Sequence, residues 1–203
     1  MVTSPRIIAI ADRMFFNSED HWMKAINQTV LGLEGRPWMA LQIRSKITIN
    51  SDALSYLLGE YSQLEQINWN LDQELSIAPK RVHLSEDKLY NTKVRFNFSA
   101  SVHSIEGLYS AHELGADWIH VAPIFDPISK SSKGMGLKKL KSFIDHSPLP
   151  VIAVGGIQNS NARLCFDVGA SGVASIGTVF ESNQPLEAID KLYASFTAMS
   201  EQL

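Results

Sequence analysis

Short apolar runs recur along the chain and alternate with stretches in which apolar residues follow helical spacing. Eight runs carry the β-branched and aromatic residues typical of strands, near 7–11, 38–43, 65–69, 80–84, 95–101, 117–122, 150–154 and 172–176. Helical periodicity predicts helices near 51–61, 104–114, 137–144, 159–168 and 185–199. Two further segments are only weakly periodic and predict helices reduced to turns, at 70–78 and 86–93.

Alternating strands and helices indicate parallel strands joined by crossover helices. Eight such units in 203 residues predict an α/β protein, a single small (β/α)8 TIM barrel that spans 1–203 as one domain. An open doubly wound sheet is the alternative. In a barrel, functional side chains lie where strands end and the following loops begin, so polar residues at these points are the candidates for a site.

Composition narrows the class of protein without changing this picture. Hydrophobic residues make up 45% and charged residues 19% of the chain, which is typical of a folded globular protein. A net charge of −3 argues against nucleic acid as a partner, and no apolar run approaches the ~20 residues of a membrane span. One cysteine, Cys165, excludes an internal disulfide, and the first residues lack the pattern of a signal peptide. We expect a cytoplasmic protein with small-molecule partners and no nucleic acid or membrane partner; a homo-oligomer is left open.

Cationic side chains follow the second predicted strand. Alternation places Gln42, Arg44 and Lys46 on one side of that strand if it extends so far. An arginine fork and a lysine ammonium group beside an amide suit a phosphate or pyrophosphate. The alternative is ordinary surface charge on a solvated loop.

The loop after the sixth predicted strand, 122–136, is long and rich in groups that bind anions. It holds three hydroxyls, two lysines and two glycines, among them Ser129 and Lys130. Loops of this length in compact domains are often functional, so we expect an anion here. The alternative is a surface loop that binds nothing.

Glycines follow the last two predicted strands. Gly155 and Gly156 come after the seventh strand, and Ile176-Gly177 comes after the eighth. Glycine lets backbone N–H groups approach an anion closely, and many barrels bind phosphate between these two loops. The alternative is a pair of tight turns.

Three histidines fall within or just after predicted strands. His83 ends the fourth strand, His103 follows the fifth, and His120 lies in the sixth, where the direction of its side chain is left open. A hydrogen-bonded structural role is more common for each than a catalytic one, and no His-Glu-x-x-His spacing occurs. Cys165 lies on the apolar stripe of a predicted helix, and we interpret it as a packing residue.

Six segments, taken in chain order, form a specific set of motifs. They are Gln42-Ile43-Arg44-Ser45-Lys46, Ser101-Val102-His103-Ser104, Gly115-Ala116-Asp117-Trp118, Pro123-Ile124-Phe125 through Ser129-Lys130, Pro150–Ile157 and Gly169-Ala170-Ser171-Gly172-Val173. Together they resemble the motifs of the thiamine-phosphate synthase and thiazole tautomerase family of small (β/α)8 barrels. The resemblance covers most of the chain and is strongest from residue 80 onward.

The synthase of that family joins hydroxymethylpyrimidine pyrophosphate to thiazole phosphate with magnesium and releases pyrophosphate. The resemblance therefore implies a transferase of thiamine biosynthesis whose substrates are small phosphorylated heterocycles. It implies catalytic roles at the leaving pyrophosphate for Arg44, Lys46, Ser129 and Lys130. It implies substrate-binding roles for Gln42, Asn68, His83, Ser101, His103, Pro123, Gly155, Gly156, Ile176 and Gly177.

Several positions depart from the family's motifs. Its Asn-Asp pair after strand 3 stands here as Asn68-Trp69, which removes a magnesium carboxylate. The acids that match its strand 4 motif, after a shift of one residue, are Glu86 and Asp87, so these are the candidate magnesium ligands. The tautomerase's histidine in the loop after strand 6 aligns with Pro123.

The leading hypothesis is an enzyme that forms thiamine phosphate. The alternatives are a non-catalytic or regulatory binder of thiamine phosphate or a related phosphorylated heterocycle, and a thiazole tautomerase-like isomerase. A phosphosugar isomerase or epimerase on the same barrel is a further reading, and it needs two convergent acids inside the barrel.

Overall fold

The computed structural model describes residues 4–90, 96–126 and 133–198. Eight parallel strands close into a barrel in chain order, which confirms the TIM barrel over the open sheet. The strands are β1 (Ile7–Asp12), β2 (Met39–Ser45), β3 (Ile67–Leu71), β4 (Arg81–Leu84), β5 (Asn97–Val102), β6 (Ile119–Val121), β7 (Val151–Val154) and β8 (Gly172–Ser175).

Helices follow most strands and cover the outside of the barrel. They are α1 (Glu19–Leu31), α2 (Ser51–Tyr61), α3 (Glu86–Leu89), α4 (Ile105–Glu113), α5 (Gly136–His146), α6 (Ala162–Asp167), α7 (Gly177–Phe180) and α8 (Pro185–Thr197). The five predicted helices are confirmed as α2, α4, α5, α6 and α8, with α6 shorter than expected. Segment 70–78 forms no helix, and within 86–93 the described residues form only the four-residue α3. The sequence did not predict α1 and α7.

The hydrophobic core has two layers because side chains alternate across each strand. Outward side chains of the strands pack under the helices in one large cluster, in which Cys165 is buried as expected for a packing residue. Burial raises the pKa of the Cys165 thiol to about 12. A smaller cluster fills part of the barrel interior, with members Ile8, Ile10, Ala40, Trp118, Ile152 and Ala174.

The barrel interior is divided between an apolar and a polar half. Strands β1, β7 and β8 supply isoleucine and alanine to the small interior cluster. Strands β2 to β6 instead supply buried polar side chains, namely Gln42, Asn68, His83, Ser99 and His120. Burying so many polar groups on adjacent strands is costly unless they bind one another or a ligand, so this half of the barrel is the candidate location of a binding site.

The amino-terminal end of the barrel is closed by a buried cation. Arg81 is fully buried, pairs with the Asp117 carboxylate and lies 4.5 Å from the centroid of the Trp118 ring. This end is sealed, so ligands enter at the opposite end, where the strands finish. Over the described ranges, no helix has the length and apolar character needed to cross a membrane.

Candidate active site

An ion pair lies at the open end of the barrel. Asp12 ends β1 and faces Arg44 across the β1–β2 register, and the carboxylate binds the guanidinium group. The same carboxylate accepts a hydrogen bond from Met14 N at 3.2 Å and caps the turn that follows β1. Burial lowers the pKa of Arg44, an effect that the nearby Asp72 carboxylate opposes. The predicted cation is thus present at the mouth, but with a carboxylate partner that the sequence analysis missed.

Two buried amides lie directly below this ion pair. Gln42 and Asn68 are opposite each other in the β2–β3 register and are 2% and 1% exposed. Among the described residues, Gln42 Oε1 and both amide atoms of Asn68 have no hydrogen-bond partner. Buried amide groups are nearly always hydrogen-bonded, so these atoms mark a place where a ligand or ordered water binds. Lys46 comes one residue after β2 and is exposed.

His83 continues the polar interior on β4. Its Nδ1 lies 2.8 Å from Ser99 Oγ and its Nε2 lies 2.8 Å from Ser101 Oγ, both on β5. Burial, with smaller contributions from His120 and Arg44, lowers the pKa of His83 well below its ordinary value. A neutral imidazole therefore bridges a fully buried hydroxyl and a half-buried one nearer the mouth.

His120 points into the barrel, which settles the direction that the sequence left open. Its neighbours Ile119 and Val121 belong to the outer cluster, whereas its ring lies 4.3 Å from that of His83. Trp118 Nε1 donates a hydrogen bond to His120 Nε2 at 3.3 Å. Burial lowers the pKa of His120 to about 3.

His103 does not join this interior group. Its side chain is exposed, and its backbone N–H donates to Glu86 Oε2 at 2.5 Å. The hydroxyl of Ser104, the cap of α4, donates to the other oxygen of the same carboxylate. The predicted substrate-binding histidine therefore lies at the start of α4, with its side chain turned to solvent.

The carboxylates near the mouth do not form a magnesium site. Glu86 is held by the start of α4, Asp87 is exposed on α3, and Asp72 binds Lys88 at 2.8 Å. The Lys88 hydrogen bond lowers the pKa of Asp72. Nowhere in the described ranges do three or more His, Cys, Asp or Glu side chains come close enough to hold a metal ion. The structure thus does not bring Glu86 and Asp87 together as a site.

The side chain at position 69, where the family has a magnesium-binding aspartate, does not face the barrel interior in this protein. The Trp69 side chain belongs to the outer cluster and is 2% exposed, while its neighbour Asn68 points inward. An acid at position 69 on this strand would face the helices instead of the barrel interior. Tightly bound magnesium does not fit the residues that the structure describes.

The loops after β6 and β7 pack tightly against each other. Ile124 N donates to Val154 O at 2.9 Å and Phe125 N donates to Gly155 O at 3.1 Å. Gly155 and Gly156 have φ values of +93° and +63°, a region that favours glycine. A Cβ at Gly155 would lie 2.7 Å from Pro123 Cα. Both glycines are therefore needed for this packing, whether or not an anion binds.

Only part of the predicted anion-binding loop after β6 lies within the residues that the structure describes. Pro123 comes two residues after β6, at the open end of the barrel. It is half-buried and packs against Gly155 in the loop after β7. Ser129 and Lys130 lie outside the described residues. Asp126, just before them, accepts a hydrogen bond from Gly134 N at 2.6 Å.

The loops after β7 and β8 are joined by hydroxyl groups. Thr178 Oγ1 donates to Ile157 O at 2.6 Å, and Ser175 Oγ donates to the same oxygen at 3.2 Å. Helix α7 begins at Gly177, directly after Ile176, so the amide groups of Gly177 and Thr178 have no acceptor within the helix. A cavity of about 280 Å³ opens beside them and is lined in part by Asn159 and Lys191.

The structure brings together five of the predicted residues on consecutive strands. We call Gln42, Asn68, His83 and Ser101 the polar row, and Arg44 lies above it at the mouth. Sequence reasoning missed Asp12, although the Asp after the first apolar run was a visible signal. Sequence reasoning left the direction of the His120 side chain undecided. Alternation along one strand shows which side chains share a face, but not whether that face is the inner or the outer one.

Comparisons with known proteins point to one family. Residues 24–179 match the family model described as thiamine monophosphate synthase. A putative thiamine-phosphate synthase 2 from Aquifex aeolicus is 34% identical over 131 residues, which are 62% of this chain and 70% of the relative. A thiamine-phosphate synthase from Fusobacterium nucleatum is 25% identical, over 94% of this chain and 97% of its own length.

A solved structure shares the fold. The thiamine phosphate pyrophosphorylase from Pyrococcus furiosus superposes with a TM-score of 0.70 at 23% identity, over 97% of each chain. The match to the family model covers well over half of this sequence, and the motifs at the strand ends agree with it. The chain belongs to the thiamine monophosphate synthase family.

Proposed function

We propose that this protein is a thiamine-phosphate synthase that joins hydroxymethylpyrimidine pyrophosphate to thiazole phosphate. The observation that carries the proposal is a pair of buried amides beneath Arg44, in which Gln42 Oε1 and both amide atoms of Asn68 have no hydrogen-bond partner among the described residues. An amide offers both donors and acceptors, which suits the ring nitrogens and amino group of a pyrimidine as well as phosphate oxygens. The substrates would be small phosphorylated heterocycles.

The chemistry requires charge stabilisation at the mouth of the barrel. The bond between the pyrimidine methylene carbon and the pyrophosphate oxygen breaks, and its electron pair leaves with pyrophosphate. The lone pair of the thiazole nitrogen then forms the new C–N bond to that carbon. Arg44 and Lys46 would stabilise the charge that grows on the leaving group. Ser129 and Lys130, from the predicted loop after the sixth strand, would contribute to the same stabilisation. Preorganised donors at such a position are commonly worth roughly 10²–10³ in rate each.

The thiazole phosphate would bind at the other side of the mouth. The first amide groups of α7, at Gly177 and Thr178, lack intrahelical acceptors, and Gly156 lies on the adjacent loop. Backbone N–H groups in this arrangement suit a phosphate, and the amide of Ile176 would complete the set. Gly155 would act indirectly, by keeping the loop close to β6.

No step of the proposed reaction runs through a protein-bound magnesium ion. Among the described residues, the carboxylates near the mouth are held by Arg44, Lys88 or the start of α4, or are exposed like Asp87. Magnesium commonly binds through one or two carboxylates together with substrate phosphates. In this protein we expect any magnesium requirement to depend on the pyrophosphate substrate. We place the reaction in the cytoplasm.

The test is the balance of products from the purified protein. With both substrates and magnesium present, we expect pyrophosphate and thiamine phosphate to appear in a one-to-one ratio, measured by a coupled phosphate assay and by mass spectrometry. Omitting either substrate controls for hydrolysis. No product under conditions in which an authentic synthase is active would contradict the proposal. Binding of thiamine phosphate without turnover would favour the alternative of a non-catalytic binder.

A further inference from the structure

A continuous chain of side-chain contacts runs from the sealed end of the barrel to its mouth. The Arg81 guanidinium carbon lies 4.5 Å from the Trp118 ring centroid, and Trp118 Nε1 donates to His120 Nε2. The His120 ring lies 4.3 Å from the His83 ring, and His83 Nε2 lies 2.8 Å from Ser101 Oγ. Neither the motifs nor the comparisons assign a role to His120.

The hydrogen bond from Trp118 determines where His120 carries its proton. An indole N–H is a donor only, so His120 Nε2 must accept and cannot carry a hydrogen. The ring is therefore neutral, with its hydrogen on Nδ1. Burial acts in the same direction, since it lowers the pKa of His120 to about 3.

The charge of His83 determines what the hydroxyl of Ser101 can do. Neutral imidazole has one donor and one acceptor nitrogen, so Ser99 and Ser101 must take opposite hydrogen-bonding roles toward His83. An imidazolium would donate at both nitrogens and force both hydroxyls to accept. Protonation of His83 would therefore remove one of the two orientations available to Ser101.

The charged groups around the two histidines come from both ends of the barrel. Toward the mouth are Arg44 on β2 and its partner Asp12 on β1. Toward the sealed end are Arg81 on β4 and its partner Asp117, just before β6. The inward residues of β3 are Asn68 and Asn70, and the pairing of Trp69 with Val82 places Asn70 level with His83. The inward residues of β5 beside the pair are Ser99 and Ser101, so both strands present neutral polar groups. The inward residues of β7 and β8 are apolar, Ile152 and Ala174.

We propose that His120 is a positioning residue of this site. By accepting from Trp118 and packing against His83, it keeps a second imidazole dry and neutral and thereby leaves the Ser101 hydroxyl able either to donate to His83 or to accept from it when a ligand binds. The part of this inference that concerns catalysis rests on the proposed function. The part that concerns the state of His83 does not.

Imidazole ¹⁵N NMR of the whole protein tests the state of His83 directly. In the wild type, we expect the His83 signals to stay those of a neutral ring from pH 8 to pH 5.5. In His120→Asn, water enters and the second ring is gone, so His83 should titrate within this pH range, near the ordinary histidine pKa of about 6.5. His112→Asn, in an exposed position on α4, is the control. Titration of His83 near pH 6.5 in the wild type would overturn the proposal.

His120→Gln is a second variant that keeps the test valid if His120→Asn does not fold. It keeps an acceptor for Trp118 and most of the side-chain volume, and it should place the His83 titration between those of the wild type and His120→Asn. If His83 behaves as in the wild type in both folded variants, His120 has no positioning role and the proposal fails.

The pH dependence of turnover provides the second readout. His120→Asn should lose about fourfold in kcat between pH 8 and pH 6, as expected for a histidine near its ordinary pKa of about 6.5. The wild type should lose little, and KM should change less than kcat in the variant. An unchanged pH profile would overturn the catalytic part of the inference. Absence of turnover in the wild type, with the NMR result as expected, would instead contradict only the proposed function.

Discussion

Asp12 and Arg44 form an ion pair across the first two strands at the open end of the barrel. The side chain of Asp12 is 10% exposed and that of Arg44 is 26% exposed, so the pair is only partly screened by water. The pairing means that the cation predicted to hold pyrophosphate is already oriented before any ligand binds. It also means that removing Arg44 does two things, because it deletes a ligand contact and leaves a buried carboxylate without its cation, with only the hydrogen bond from Met14 N remaining.

Paired variants separate these two effects. Arg44→Ala should lower the free energy of unfolding by about 1–3 kcal/mol, since Asp12 loses its partner. Adding Asp12→Asn should restore most of that stability, because an asparagine oxygen can still accept from Met14 N and carries no charge. Denaturant unfolding measures the stability of both variants.

Turnover should fall by roughly 10²–10³ in the single and the double variant alike, because both lack the guanidinium group. Recovery of turnover together with stability in the double variant would show that Arg44 serves the fold and not the reaction.

The two buried histidines predict a loss of stability in mild acid. Both have a lowered pKa in the folded protein, chiefly because of burial, whereas in the unfolded chain each titrates near 6.5. As pH falls below about 6.5, the histidines bind protons in the unfolded state but stay neutral in the folded state, so the free energy of unfolding decreases. The expected loss between pH 7 and pH 5 is roughly 2 kcal/mol for each histidine.

Urea unfolding at the two pH values measures this loss. His83→Gln should reduce the pH dependence by about one histidine's share. A wild type that is equally stable at pH 7 and pH 5 would contradict the buried neutral pair.

Gly156 is predicted to tolerate no side chain. A Cβ there would lie 2.8 Å from Phe125 Cβ and 2.9 Å from Asp126 O, and φ is +63°. Gly35 offers a matched control, because its φ is +79° but nothing lies within 4 Å of an added Cβ. Gly35→Ala should cost about 1–2 kcal/mol from backbone strain alone.

Gly156→Ala should cost about 1–3 kcal/mol more than Gly35→Ala, because the loop after β6 must move as well. It should also weaken binding of thiamine phosphate in calorimetry, whereas Gly35→Ala should not. Equal stability and equal affinity in the two variants would argue against the tight packing of these loops.

Magnesium should not bind measurably to the free protein. Calorimetric titration with magnesium chloride is expected to show no saturable binding, and pyrophosphate should bind more tightly when magnesium is present. Trp69→Asp should not create a site, because position 69 faces the outer core, and it should destabilise the fold by about 3–5 kcal/mol. Saturable magnesium binding to the ligand-free wild type would show that the carboxylates rearrange to form a site.

The sequence predicted the barrel because eight strand-like runs recur along the chain and helical periodicity fills five of the segments between and after them. A repeat of this kind remains visible even where single helices are short or weakly periodic. Between β3 and β4, the weak periodicity of segment 70–78 predicted a helix reduced to a turn, and no helix forms there. The sequence missed α7, whose four residues are too few to show a period.

The site was predicted less completely than the fold. Gln42, Arg44, Asn68, His83 and Ser101 could be placed near one another because their motifs follow consecutive strands. The exposed position of the His103 side chain could not be predicted, because it depends on where β5 ends and α4 begins. The contact between His83 and His120 joins strands that are not neighbours, and strand alternation alone does not predict it.

Asn68→Leu tests the central claim most directly, with turnover and stability measured on the same preparation. Within the part of the chain that the structure describes, both amide atoms of Asn68 lack a hydrogen-bond partner, so an apolar side chain of similar shape should leave the free energy of unfolding unchanged or raise it. If the polar row holds the pyrimidine substrate, kcat/KM for formation of thiamine phosphate should fall roughly tenfold to hundredfold. A stable Asn68→Leu variant that forms thiamine phosphate at the wild-type rate would contradict the account.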